Sequence, residues 1–402
     1  MTPRILVLNC GSSSIKFALF DAGETGLDAK ALWHGKVDGV TGPRPTLDLP
    51  GATSRALPAG GEQPYHAALD AILAQLAQRL QGAGETLTAI AHRVVHGGLK
   101  YSAPVLLDAP VLADLRSYIP LAPLHQPFAL EAIETLLASH PSLPQVACFD
   151  TAFHHTLPVV EQMLPLPYAA WERGLRRYGF HGLSYEYLSL ALAARHGGAA
   201  QGRTIAAHLG SGASLCAMQG LASVATTMGF SALDGLMMGT RCGALDPGAL
   251  LYLMDIEGLS THEVGHLLYH ESGLLGVSGI AADPRLLLEQ EAESPRARDA
   301  LALYVRRIVR EIGALCAVLG GLDMLVFTAG IGEHNAEIRR RICAALGFLG
   351  VQVDDAANRS NAPLISCGAG PLVAVEPTDE EWIAARHARA ILGLNRAGTG
   401  PR

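Results

Sequence analysis

Short apolar runs alternate with polar, glycine-rich turns along the chain, and ILVLNCGSSSIKFALFD, Ile5 to Asp21, sets the pattern. Ile5 to Leu8 and Phe17 to Phe20 predict two β-strands, with an Asn, a Gly, consecutive serines and a Lys between them. Backbone N–H groups in so small a turn can approach an anion, and phosphate is the natural guest; a hairpin with a merely polar tip is the alternative. Apolar spacing next predicts a helix near His66 to Gln81, a strand in AIAHRVVHGG and a helix over Pro127 to Ser139. After SHPSLPQ comes another strand, VACFDTAF, and a domain boundary is expected near Asp150.

The opening pattern returns in TIAAHLGSGASLCAMQ, Thr204 to Gln219. Two such hairpins about 200 residues apart predict a duplicated domain with one copy on each side of a cleft. A third glycine turn, MLVFTAGIGEHN from Met324 to Asn335, follows an apolar strand and precedes the helical pattern AEIRRRICAALG. It would offer backbone donors at a helix N-terminus, where an anion or a nucleotide edge is favoured. Neither a G-x-x-x-x-G-K-[ST] loop nor a complete G-x-G-x-x-G fingerprint occurs, which tells against P-loop and Rossmann folds and for a two-domain α/β clamp.

Composition narrows the class. With 402 residues, 49% hydrophobic and 17% charged, the chain can bury a large core, most naturally in two domains. A net charge of -7 without a basic run argues against nucleic acid and anionic membranes as partners, so any anion site must be local. The N-terminal apolar run is too short for a signal peptide and no segment holds 18 uninterrupted apolar residues, so a soluble cytoplasmic protein is expected. Seven widely spaced cysteines without a C-x-x-C pair suggest neither a disulfide framework nor a cysteine zinc site. The 44 glycines suit strands and helices in alternation.

LNCGSSSIKF, HRVVHGG, LAPLH, FDTAFH, RRYGFHG, HLGSG, GLMMGTR, GVSGI, FTAGIGE and PTDEE occur in the order and approximate spacing of acetate kinases, so the chain resembles that family over nearly its whole length. The resemblance implies duplicated RNase H-like (actin-like ATPase) domains closing on ATP, divided as 1–149, joined by a C-terminal helix at 382–402, and 150–381. It also implies reversible in-line transfer of the ATP γ-phosphoryl group to a short carboxylate, magnesium as cofactor with manganese able to replace it, and a homodimer. Residue by residue, it makes Asn9 and Glu380 the metal-associated groups and Lys16 a phosphate contact. Arg93 becomes a ligand of the substrate carboxylate, Asp150 an active-site acid, and His181 and Arg241 stabilisers of the transition state. His208, Leu209, Gly210, Ser211 and Gly212, Asp283, Pro284 and Arg285, and Gly330, Ile331, Gly332, Glu333 and His334 would line ATP. Val95, Leu124 and Phe180 would line the acyl methyl pocket.

The chemistry asks for such residues. A carboxylate acceptor is ionised at neutral pH and needs no general base, so the obstacle is repulsion between its charge and the phosphates. Arg93 and Arg241 fit, because a guanidinium binds such oxygens bidentately and keeps its proton. His181 could donate to an equatorial oxygen of the transferring group. Magnesium keeps several waters and suits a site of only Asn9 and Glu380. Each residue has a structural alternative: Asp150 as a turn cap, His181 as a core histidine, Asn9 and Lys16 as hairpin formers, Glu380 as an acid at a helix N-terminus.

STHEVGHLLYH contains the H-E-x-x-H pattern of zinc proteases, but Ser260 and Glu263 read better as a capping box opening a helix, with His262, His266 and His270 along one stripe. His92 and His96 would share a face of their strand. The chain departs from the family pattern at Ser211 (usually Asn), Leu183 (Thr), Tyr185 (His), Gln126 (Asn), Ala232 (Pro), Ala244 (Asp) and Pro284. The resemblance would put Ala232 beside the acyl pocket with room for about one extra methylene, so propionate should be used comparatively well without exclusion of acetate; a propionate or butyrate kinase on the same scaffold is the near alternative. A nucleotide-driven module of the Hsp70 or actin kind would need no carboxylate clamp, and a sugar kinase would need a carboxylate base, a role only Asp150 could fill.

Overall fold

The structure, a computed structural model, describes residues 2–23, 30–61 and 63–394. Two compact units divide the chain, Met1–Ala152 with Asp379–Arg402, and Phe153–Thr378. Among the described residues thirteen strands build two sheets: β1 Thr2–Cys10, β2 Ser14–Asp21, β3 Trp33–Asp38, β4 Thr46–Asp48, β5 Arg55–Ala56, β6 Glu85–Val94, β7 Val105–Leu106 and β8 Gln145–Phe149 in the first unit. The second holds β9 Arg203–Leu209, β10 Ala213–Gln219, β11 Ala222–Thr226, β12 Met324–Thr328 and β13 Leu372–Val375.

The first sheet runs β5-β4-β3-β2-β1-β6-β8-β7 and the second β11-β10-β9-β12-β13. In both, an antiparallel meander (β3-β2-β1; β11-β10-β9) continues into two parallel strands (β6-β8; β12-β13). The five-strand pattern therefore occurs twice, and the fold is α/β with duplicated actin-like domains.

Strand β1 is buried from Ile5 to Leu8 because helices cover both faces of its sheet, which is why it reads as an unbroken apolar run rather than an alternation. Leu6, Leu8 and Cys10 join one cluster with Ile72 and Leu76 of the helix Pro64–Ala83 and Ala132 and Leu136 of the helix Gln126–Ser139. Each buried Leu or Ile side chain among them contributes about 1.5–3 kcal/mol. The helix Glu380–Ile391 packs against β1, β6 and β8 and buries Ile383, Ala384 and Ala388. In the second unit Tyr185, Leu188 and Leu192 of the helix Gly182–His196 pack with Ala206, Cys216, Met218 and Val326 from the sheet. The helix Pro295–Leu319 lies against β9, β10 and β11. Among the described residues, no helix is long and apolar enough to cross a membrane.

Four expectations need correction. The strand in AIAHRVVHGG ends at Val94, because the chain must turn at Gly97 and Gly98; Gly98 has φ 62° and an added Cβ would meet the Tyr118 ring. His92 and His96 therefore do not share a strand. The strand in VACFDTAF stops at Phe149, and Ala152–Thr156 forms a 3-10 turn. The third glycine turn is a six-residue helix, Ala329–His334, which follows β12 directly. The helix expected at 382–402 spans Glu380–Ile391, and residues 395–402 lie outside those described. Helix Thr261–His270 opens with the capping box of Ser260 and Glu263.

Candidate active site

Strand pairing assembles the first unit's polar cluster. Asn9 on β1 sits opposite Lys16 on β2, and because Leu8 pairs with His92 in the parallel β1–β6 register, Asn9 and Arg93 share a face one step further on. That is the face covered by the helix Glu380–Ile391, whose N-cap, Asp379, accepts from the backbone N–H of Trp382 at 2.7 Å. Glu380 opens the helix. All these residues lie at the carboxyl ends of β1, β6 and β8, where open α/β sheets place ligands.

Arg93 is the hub. Its Nε and Nη2 donate to Asp150 at 2.9 and 2.6 Å, Nη1 donates to Asn9 Oδ1 at 3.3 Å, and Nε lies 3.6 Å from Glu380 Oε2. Asp150 is buried and this bidentate pair explains how a buried carboxylate is tolerated. Burial opposes the Arg93 charge, but Asp150 and Glu380 hold the guanidinium above its usual range. Burial pushes the Glu380 carboxyl above the ordinary range, with Arg93 and Lys16 acting in the opposite sense. Lys16 itself is exposed.

Val95 follows β6, half-buried, and Leu124 lies 38% exposed on the loop before the helix Gln126–Ser139. The buried Gln126 amide ties the two segments together: its Oε1 accepts from His96 N and its Nε2 donates to His96 O, both at 3.1 Å. Sequence reasoning noted Gln126 only as a departure, since one uncharged residue carries no motif.

The second unit gathers imidazoles and hydroxyls. His154 bridges Ser223 Oγ (2.9 Å) and the Phe180 carbonyl (3.0 Å), and burial holds it at about 4, so it is neutral at pH 7. Gly179, φ 76°, passes so close to this ring that an added Cβ would lie 2.5 Å from it. His181 follows in the left-handed region, φ 59°, as N-cap of the helix Gly182–His196. Its ring stacks on His208 with centroids 4.2 Å apart, and its Nδ1 lies 2.8 Å from Ser214 Oγ. Arg241 is held by the Ala232 carbonyl, which accepts from Nη1 at 2.9 Å. An added Cβ at Gly212 would lie 3.1 Å from His181 Nε2 and 3.7 Å from Arg241 Nη1, so the second hairpin turn brings the two together. Phe180 is buried beside them in the chain.

The remaining nucleotide candidates are spread over three segments of this unit. His208 and Leu209 end β9, Gly210 N donates to Gly212 O at 3.0 Å, and Ser211 is exposed at the tip. Asp283 caps the helix Pro284–Gln290, accepting from Arg285 N at 2.9 Å, and pairs with the exposed Arg285 guanidinium at 2.6 Å. In Ala329–His334, which carries Gly330, Ile331 and Gly332, the Glu333 carboxylate accepts from Ala329 N at 2.8 Å and Thr378 N at 3.3 Å. The chain's own acid thus takes up donors that a glycine turn would have left to a ligand.

A model of the Acetokinase family matches residues 4–386. The chain is 49% identical over 401 residues to an acetate kinase of Rhodopseudomonas palustris, covering 96% of this chain and 98% of that one. It is 46% identical to an acetate kinase of Nitrobacter hamburgensis, covering 99% and 98%. Among solved structures, a propionate kinase from Francisella tularensis superposes with TM-score 0.88 at 35% identity (96% and 99% covered). Porphyromonas gingivalis acetate kinase superposes with TM-score 0.85 at 35% identity (97% and 100%).

Proposed function

Since the chain belongs to the acetokinase family and phosphorylates acetate with ATP, we propose that its two residue clusters divide that reaction between them. Arg93, with Val95 and Leu124 nearby in sequence or tied by Gln126, receives the acyl carboxylate. Asp150 keeps the guanidinium in place by occupying its Nε and Nη2. His181 and Arg241 donate to the phosphoryl oxygens as charge spreads over them, with Phe180 at the methyl. Lys16 and the segments 208–212, 283–285 and 330–334 hold ATP. The observation that carries this reading is the convergence of Asn9, Asp150 and Glu380 on one guanidinium.

Asn9 Oδ1 and the Glu380 carboxylate are hard oxygens, and so small a protein donor set fits a magnesium or manganese ion that keeps most of its waters. When bound, the ion would supply positive charge to the phosphates. Glu380→Ala should raise the magnesium concentration needed for half-maximal rate while the protein still folds; titrations that overlay those of the parent protein would make Glu380 a structural acid.

The main test is acyl phosphate formation with acetate, propionate, butyrate, glycerol and no acceptor. Product with the short carboxylates alone supports the reading, and phosphate release without an acceptor would favour an actin-like module. Homodimerisation belongs to the same reading: the helix Pro247–Asp255 buries no side chain and leaves Leu251 and Tyr252 60% and 54% exposed, an apolar face suited to a second copy. Light scattering at the monomer mass would remove it.

A further inference from the structure

Two neutral side chains stand behind His181. Ser214 on β10 is fully buried, with Oγ 2.8 Å from His181 Nδ1 and 2.5 Å from the hydroxyl of the equally buried Tyr185. Ser184, one residue earlier on the same helical turn, meets His208 Nδ1 at 2.9 Å, so this turn supports both stacked imidazoles.

Proton counting gives the chain a direction. The geometry allows either hydroxyl to donate, and the greater acidity of a phenol favours Tyr185 as the donor to Ser214 Oγ. In that arrangement the Ser214 proton is available to His181 Nδ1, 2.8 Å away, and the nitrogen that accepts it is bare. We propose that Tyr185 and Ser214 are positioning residues that fix the tautomer of His181 with its proton on Nε2. That nitrogen is the one beside Gly212 and Arg241 Nη1. Neutral His181 then remains a donor at and above neutral pH, where an unfixed imidazole would divide its proton between two sites. The titratable and charged groups around this chain in the second unit are His208 stacked on His181, Arg241 across Gly212, and His154, whose ring meets Tyr185 edge-on at 5.6 Å. His154 is held neutral by burial, so it adds no charge beside Tyr185 near neutral pH.

The inference rests on the reading that His181 meets the transferring phosphoryl group, and its test separates the two. Ring 15N shifts of His181, assigned by their loss in His181→Ala, should show a proton on Nε2 in the unaltered protein and a mixture in Ser214→Ala and Tyr185→Phe. Both variants should lose about fivefold in kcat at pH 8, the size of one neutral hydrogen bond, with KM for ATP and acetate within about twofold. The deficit should shrink as pH falls through the imidazole range, because an imidazolium carries both protons whatever the tautomer. A purely structural role would give a deficit independent of pH. A proton on Nδ1 in the unaltered protein, or a pH-independent deficit in Tyr185→Phe, overturns the proposal. Tyr185→Phe conserves volume and carries the test if Ser214→Ala does not fold. Unchanged kcat in His181→Ala would overturn the parent reading alone, since the 15N arm does not depend on turnover.

Discussion

The hairpins β1–β2 and β9–β10 open the same five-strand pattern, yet the side chains at their ends differ in kind. The first unit gathers full charges around Arg93, whereas the second stacks imidazoles backed by neutral hydroxyls. Duplication supplied two equivalent frames, and residues at a few strand ends gave each its chemistry. Charges that touch in a buried site are strongly coupled, and hydroxyl contacts are individually weak.

That contrast can be broken at several points. Asp150→Ala leaves the Arg93 guanidinium without its bidentate partner and should cost about 3–5 kcal/mol in denaturant unfolding. A loss below about 1 kcal/mol would mean the first cluster is no more coupled than the second. Arg93→Ala and Arg241→Ala should each lower kcat/KM by about two orders of magnitude or more, with poor rescue by Lys. Near-normal rates in both would remove the cationic clamp, and loss in one alone would assign the charge problem to a single unit.

Acid tests the buried histidines of each half. Burial lowers His92 in the first unit from 6.5 to about 4, opposed by its contact with Gln145 at 2.8 Å. A histidine held neutral contributes stability that is full above its ordinary value and drains away as pH falls toward the folded one, so His92 should cost about 2–3 kcal/mol between pH 6.5 and 4. His92→Gln should flatten the fall of melting temperature across that window, and an unchanged slope would place the acid sensitivity elsewhere, His154 being the counterpart in the second unit. The smallest effect is expected at Ala232, whose carbonyl holds Arg241. Ala232→Pro should move the propionate-to-acetate efficiency ratio several-fold toward acetate, from about 0.8 kcal/mol for one methylene. An unchanged ratio means that this side chain does not meet the acyl group.

Both hairpins and the helices near His66 and Pro127 were legible because apolar spacing and glycine turns are local signals. Strand ends were less so. Val95 continues the apolar run of β6, and only the turn at Gly97 and Gly98, set by crowding against Tyr101 and Tyr118, ends the strand at Val94. AGIGEH resembles a loop, but Glu333 reaches back to the Ala329 N–H and the segment winds into a helix from a residue at φ 64°. The charged candidates Arg93, Asp150, Arg241 and Glu380 could be proposed from motifs. Gln126, Ser214 and Tyr185 could not be assigned a role, because a buried neutral hydrogen bond is visible only once its partners are in place.

The helix Glu380–Ile391 completes the first unit, although the whole second unit, Phe153–Thr378, separates it from β8 in the chain. A ribosome adding about 5–20 residues per second needs on the order of ten seconds or more to cross that interval. For that time β1, β6 and β8 are already synthesised without the cover of Ile383, Ala384 and Ala388. The nascent chain therefore carries an open apolar sheet face while its second unit is being made, and the first half cannot mature until translation has passed through the other.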